Sequence, residues 1–144
     1  MTQTQSSKPF DLAALNDNSG SMNQHMGVEI LEASIERCVA RMPVEPNRQP
    51  YGLLHGGASI ALAETLGSIG SALHAATMGK IAVGLDINAT HHRSARSGWV
   101  TGVATPLHLG RTVASFEIVI SDEDERRLCT CRITCALLEA PPGS

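Results

Sequence analysis

The stretch LLHGGASIALAETLGSIGSALHAA, Leu53 to Ala76, decides the fold. It is a long run of small and apolar residues with a single formal charge, Glu64. The pattern predicts a helix from about Gly56 to Met78, closed by Gly79. A helix with so little polar surface is expected to be buried nearly all round. Its small residues, among them Ala61, Gly67 and Gly70, would let strands approach closely. A lone carboxylate buried in such a helix costs several kcal/mol unless it is paired or protonated. Glu64 is therefore the first functional candidate.

Outward from the helix the patterning changes period. GVEILEASIERCVARMPV partly alternates apolar and polar residues, which predicts an extended hairpin or bent strand. PVEPNRQPYG, with three prolines and a glycine, reads as a loop. After Gly79 the chain reads as strands: IAVGLDINATHHR, GWVTGVATPLHLG, RTVASFEIVISDE and RRLCTCRITCALLEA, with the acidic SDEDE as a solvated turn. The expected plan is one long helix followed by an antiparallel meander. One helix covers a sheet of that size only if the sheet wraps around it. Before the hairpin, residues 1–10 are polar and expected to be disordered. DLAALNDNSGSMNQHM can make one or two short helical turns broken near Gly20.

Composition narrows the function. The chain has 144 residues, a net charge of −3 and 42% hydrophobic content, enough for one domain with a modest core. A mildly acidic chain without a basic stripe is a poor nucleic-acid binder. No run has the hydrophobicity of a membrane span, and MTQTQSSKPFDLAALN lacks the apolar core of a signal peptide, so a cytoplasmic protein is expected. Of the four cysteines, Cys129, Cys131 and Cys135 would share one face of a strand. Ligands strung along a single strand suit tetrahedral zinc poorly, so no metal site is expected and these read as buried thiols, with disulfide or metal roles as the alternative.

The polar exceptions in the helix fall in one stripe. Gly57, Glu64, Ser68 and Ser71 lie at i, i+7, i+11 and i+14. The HGG at the helix start offers free backbone N–H groups, which stabilise negative charge. A carboxylate and an oxyanion-type donor set on one side of one helix is an arrangement suited to acyl transfer.

PYGLLHGGASIALAETLGS, GLDINATHHRSARSG and PLHLGR, in that order, closely resemble the hotdog-fold acyl-CoA thioesterases, in the phenylacetate-degradation (PaaI-like) branch. The resemblance spans roughly residues 24 to 139. It implies an α+β hotdog fold, an antiparallel sheet wrapped around one long central helix. Residues 24–140 would form that domain, 1–23 a flexible leader and 141–144 a tail. It further implies dimers joined sheet edge to sheet edge, usually paired again into tetramers, with active sites built from both chains. On the family pattern Glu64 is the catalytic carboxylate, as base or as nucleophile, and the Gly56 N–H polarises the thioester carbonyl. His55 matches a histidine near that carbonyl, Gln49 a glutamine that positions thioester or water, and Ser68 a hydroxyl near the carboxylate. His91 matches a histidine near the substrate. His92, Arg93 and Ser94, with His108, Gly110 and Arg111, fall where this branch holds coenzyme A, Arg93 and Arg111 as phosphate partners by charge and position. No cofactor is implied, since coenzyme A is part of the substrate, and an acyl-carrier protein is the alternative carrier. The doubled His91–His92 departs from a single histidine common in near relatives.

Plainer roles stand beside these. Glu64 could pair with an arginine of a partner chain, His55 could simply cap the helix, and Ser68 could bond the carbonyl of Glu64 one turn back. Gln49 could be an ordinary loop residue, and the arginines plain solvated charges. Other functions on such a scaffold are a hydratase or dehydratase, a non-catalytic acyl-CoA sensor, and an assembly protein. The signatures of the hydratases and the output module of the sensors are not visible in the sequence.

Overall fold

The computed structural model describes residues 11–143, so the expected disorder of residues 1–10 lies outside the described part. The elements in chain order are α1 (Leu12–Asp17), α2 (Ser21–Met26), β1 (Glu29–Ala33), β2 (Cys38–Pro43), a 3-10 turn (Glu45–Asn47), α3 (Gly56–Ala76), β3 (Lys80–His91), β4 (Trp99–Leu109), β5 (Val113–Ser121) and β6 (Arg127–Glu139). The six strands form one antiparallel sheet in the order β1-β2-β4-β5-β6-β3. The α+β hotdog expectation of a sheet around one long helix holds.

The sheet wraps because its strands bend. Register shifts interrupt the pairing at Ile30/Glu32, Gly84/Asp86, Pro106/His108 and Ile120/Ser121. Each inserts a local kink and extra twist. The concave face so made carries the core: Phe116, Ile118, Ile120 and Ile133 are fully buried, facing Leu62 and Leu66 of α3. The helix sits very close to the sheet, as its small residues led one to expect. A Cβ on Gly67 would lie 2.2 Å from Cγ2 of Ile133, and one on Gly70 2.6 Å from Cε1 of Phe116. Cys129, Cys131 and Cys135 are buried on this same face as free thiols, as is Cys38 on β2. Burial raises the Cys135 thiol above its usual range, against a lowering by Ser71 and with a further rise from the Glu64 charge.

Two expectations change. β4, β5 and β6 do form a meander, but β3 crosses to the far edge and pairs with β6 alone. Alternation along a strand fixes which residues share a face, not which strand lies beside it. The helix is not buried all round. Ser59, Leu62, Ala63, Leu66, Gly67 and Gly70 face the sheet, while Ala72 and Ala76 are exposed and Ala61, Glu64, Thr65 and Ser68 are half-covered. The short helical turns expected in DLAALNDNSGSMNQHM are present as α1 and α2, parted at Gly20. The Asp11 side chain caps α1, accepting from the N–H groups of Ala13 and Ala14. Among the described residues no helix is long and apolar enough to cross a membrane.

Candidate active site

The start of α3 is built by its flanks. His55 is the N-cap, with extended backbone, and its Nδ1 accepts a hydrogen bond from the Gly57 N–H at 2.8 Å. Nδ1 as acceptor places the ring proton on Nε2. The preceding loop is tied on both sides. The His55 N–H donates to the Asn47 carbonyl and the Leu54 N–H to that of Ala95, both at 2.8 Å. The Arg48 guanidinium donates to the Arg96 carbonyl. Within the loop the Gln49 N–H donates to the Leu53 carbonyl, and Gly52, at φ +76°, makes the turn that L side chains resist.

These ties leave one amide over. The N–H of Gly57 goes to His55 Nδ1, and those of Ala58 and Ser59 go to the His55 carbonyl. Among the described residues, the Gly56 N–H finds no acceptor. It opens on a cavity of about 430 Å³ between the helix start, the Gln49 loop and the end of β3. The His91 ring stands against it, since a Cβ on Gly56 would be 3.0 Å from His91 Nε2. Gln49, Gly56, His91, His92, Arg93 and Ser94 all line this cavity. Six of the residues singled out in the sequence are thus brought together. The helix dipole and Arg93 make it a favourable place for negative charge.

The two adjacent histidines make different contacts. His91 pairs with Cys129 on the concave side, against the helix. His92, at the rim of the same cavity, holds its Nε2 2.9 Å from the Thr130 hydroxyl. The remaining residues lie elsewhere. His55 itself borders a different groove, with Met22, Met26 and Arg48. His108, Gly110 and Arg111 sit at the far end of α3, where His74 Nε2–H donates to the Gly110 carbonyl at 2.7 Å and Lys80 Nζ to the Arg111 carbonyl at 2.8 Å. A helix of 21 residues is about 30 Å long, so one chain does not bring Arg93 and Arg111 to one ligand.

Glu64 lies eight residues beyond Gly56, about 12 Å along the axis. Its Oε1 is 2.8 Å from where a Cβ on Gly84 would be, so it reaches the edge strand β3. Among the described residues none gives its carboxylate a hydrogen bond or an ion pair, and no arginine of the chain neutralises it. Ser68, one turn on, does not bond back to the Glu64 carbonyl. The neighbouring Thr65 makes that type of bond instead, to Ala61. Glu64 and Ser68 face a second cavity together with Thr65 and Ile69. Sequence reasoning missed Thr65, and also Cys129 and Ser59, which line the cavity at Gly56. The common face of the cysteines hinted at the former, and the spacing of Ser59 three residues after Gly56 at the latter.

A free amide at a helix start, a carboxylate without a donor on the open flank and a histidine-lined cavity suit the polarisation and hydrolysis of an acyl group. The comparisons agree with that chemistry. The profile of the thioesterase superfamily matches residues 51–129. A proofreading thioesterase EntH of Klebsiella pneumoniae is 50% identical over 91% of this chain and 96% of its own. A solved thioesterase of Pseudomonas aeruginosa is 41% identical with a TM-score of 0.86, covering 92% of this chain and 97% of that one. A solved thioesterase of Staphylococcus aureus, in a glutamine-to-alanine mutant, is 36% identical with a TM-score of 0.78 over 83% of this chain and 99% of its own. The same S. aureus protein has also been solved as a glutamate-to-alanine mutant.

Proposed function

The chain belongs to the thioesterase superfamily and is a thioesterase, and from that premise we propose that it hydrolyses aryl or medium-chain acyl-CoA esters at a site shared by two copies of the chain. The observation that carries this reading is the separation of the unbonded Gly56 N–H from Glu64, about 12 Å along one helix axis. A single carbonyl carbon cannot meet both groups of one chain. A second copy supplies the missing carboxylate.

β3 supports that assembly. It is an edge strand of twelve residues with an unpaired side, and Val83 and Leu85 on it are 45% and 63% exposed. Long apolar edges of this kind are rarely left open. Two β3 edges pairing antiparallel about a two-fold axis join the sheets and set the two α3 helices side by side in reverse. The middle of one helix then faces the start of the other. Leu107 and Leu138 remain exposed, which favours a further pairing of dimers into a tetramer.

In the composite site the thioester carbonyl lies at the Gly56 N–H and the dipole end of α3, which stabilise the developing oxyanion. Glu64 of the second copy takes a proton from the attacking water, or attacks directly to give a mixed anhydride that water then opens. Coenzyme A leaves as its thiol. His55 holds the first turn so that the Gly56 N–H keeps its direction, and His91 borders the acyl carbonyl. Gln49 positions the thioester or the water. The S. aureus thioesterase was made with a glutamine and a glutamate changed at positions fifteen residues apart, the separation of Gln49 and Glu64. Ser68 is the hydroxyl next to the carboxylate. Arg93 and Ser94 receive the nucleotide end of coenzyme A, and Arg111 with His108 and Gly110 reaches it only from the other copy. An acyl-carrier protein is the second source of the same thioester. The four free thiols suit a reducing cytoplasm.

Glu64→Gln tests the chemistry. The variant is expected to fold and assemble as the wild type and to lose at least ~10²-fold in kcat on benzoyl- and hexanoyl-CoA. Wild-type turnover in the well-folded variant would refute the role.

A further inference from the structure

α1 and α2 lie over the open flank of α3, with Met26 buried in the core and Leu12 and Leu15 packed against it, and side-chain amides fix their position. Asn16 pairs with β1 like an extra strand residue: its Nδ2 donates to the Ile30 carbonyl at 2.9 Å, and the Ile30 N–H donates to its Oδ1 at 2.7 Å. The Thr65 hydroxyl of α3 lies 2.9 Å from both Asn23 Oδ1 and the Ala61 carbonyl and shares its one proton between them, and Asn23 Nδ2 donates to the Ser19 carbonyl at 2.8 Å. Asn47 Nδ2 donates to the Met26 carbonyl at 2.8 Å. No residue of α1 is fully buried. These amide bonds latch the pair of helices in place beside α3, together with Met26, which is buried in the core.

What the latch keeps open is a cavity of about 340 Å³. Leu15 of α1, Ile30 of β1 and Ile69 of α3 give it apolar walls, Asn23 closes one side, and Glu64 and Ser68 stand at the other. Apolar walls with a carboxylate at one edge fit an acyl group whose reacting carbonyl lies at that carboxylate. The volume is at the low end of the roughly 300–1,000 Å³ of small-molecule pockets. It suits one ring or a short chain, not a long fatty chain.

We propose that the α1–α2 arm is the end wall of the acyl chamber, and that Leu15, held at its depth by the Asn23–Thr65 latch, sets the largest acyl group the enzyme hydrolyses. This rests on the composite Glu64 site described above and adds a determinant outside the sheet and α3. Leu15 acts on the tail of the acyl group and takes no part in the reaction at the carbonyl.

The test is kcat/KM on hexanoyl-, decanoyl- and benzoyl-CoA for the wild type, Leu15→Ala, Leu15→Phe and Thr65→Val. Leu15→Ala removes apolar bulk from the end wall. Methylene-scale changes in a pocket discriminate about 10–200-fold, so the decanoyl-to-hexanoyl ratio is expected to rise about tenfold or more. Leu15→Phe should move the ratio the other way, and Thr65→Val, which removes the tie of the arm to α3, should raise it. A merely structural arm would lower all three esters together and leave the ratios alone. Ratios within twofold of wild type in the variants that keep its melting temperature would overturn the proposal. A wild-type protein that hydrolyses none of the esters would instead overturn the underlying acyl-CoA reading.

Discussion

Gly84→Ala moves the Glu64 carboxylate without removing it. Gly84 lies on β3 opposite Cys135, at the register shift beside Asp86, and its backbone is not left-handed. An alanine is therefore free of backbone strain there, and it removes some entropy from the unfolded chain. Its Cβ, however, would stand 2.8 Å from Glu64 Oε1. The carboxylate must withdraw by about half an ångström to restore van der Waals contact. A 1 Å misplacement at a reacting centre can cost about 10²-fold, so half of that is worth about tenfold. If Glu64 acts on the transition state, the loss appears in kcat, with KM within about twofold. The assay is steady-state hydrolysis of benzoyl- and hexanoyl-CoA by a variant checked for melting temperature and for oligomeric state, since β3 is also the proposed joining edge. A variant that melts and assembles as the wild type and keeps wild-type kcat would refute the placement of Glu64 at the chemistry.

Gly67→Ala forces a methyl to within 2.2 Å of Ile133 Cγ2 in the core, so it should destabilise by about 1–3 kcal/mol or more, read as a lowered denaturant midpoint. Arg93→Ala should raise KM for acyl-CoA several-fold with kcat within about threefold, and an acyl-N-acetylcysteamine ester without the nucleotide should not respond. Leu85→Asp puts a charge in the open β3 edge and should shift the protein toward monomer by light scattering, with turnover falling in step.

Much of the fold was legible because local rules decide it. α3 starts at Gly56 as the HGG and the small-residue run predict, and all four strands after Gly79 fall where period-two patterning puts them. The three cysteines of CTCRITC share a face because the pleat allows nothing else. The site was half legible. Gln49, Gly56, His91 and Arg93 converge as expected, because one loop, one helix start and one strand end meet there. What failed needed knowledge of neighbours. Nothing in the alternation of Lys80–His91 shows that it crosses to the far edge of the sheet. Nor does it show that the β4–β5 turn carrying Arg111 closes on the C-terminal end of α3. The small residues of α3 read as burial on all sides, yet only the sheet-facing half is covered within one chain. The Asn16 and Asn23 bonds carry no motif, because an amide latch has no fixed spacing.

The most direct measurement is complementation between two impaired chains. Glu64→Gln lacks the carboxylate, and Gly56→Val blocks the cavity at the amide, where even a Cβ meets His91 at 3.0 Å. Each is assayed alone, then both are unfolded together, refolded at equal concentration and assayed again. If each site takes Gly56 from one copy and Glu64 from the other, a mixed dimer holds one doubly damaged site and one intact site. Random pairing then restores about a quarter of wild-type turnover, far above either parent. If both groups act from the same chain, every site in the mixed dimer keeps one defect. Turnover no higher than the mean of the parents, in a mixture shown by mass spectrometry to contain mixed dimers, would contradict the two-chain site.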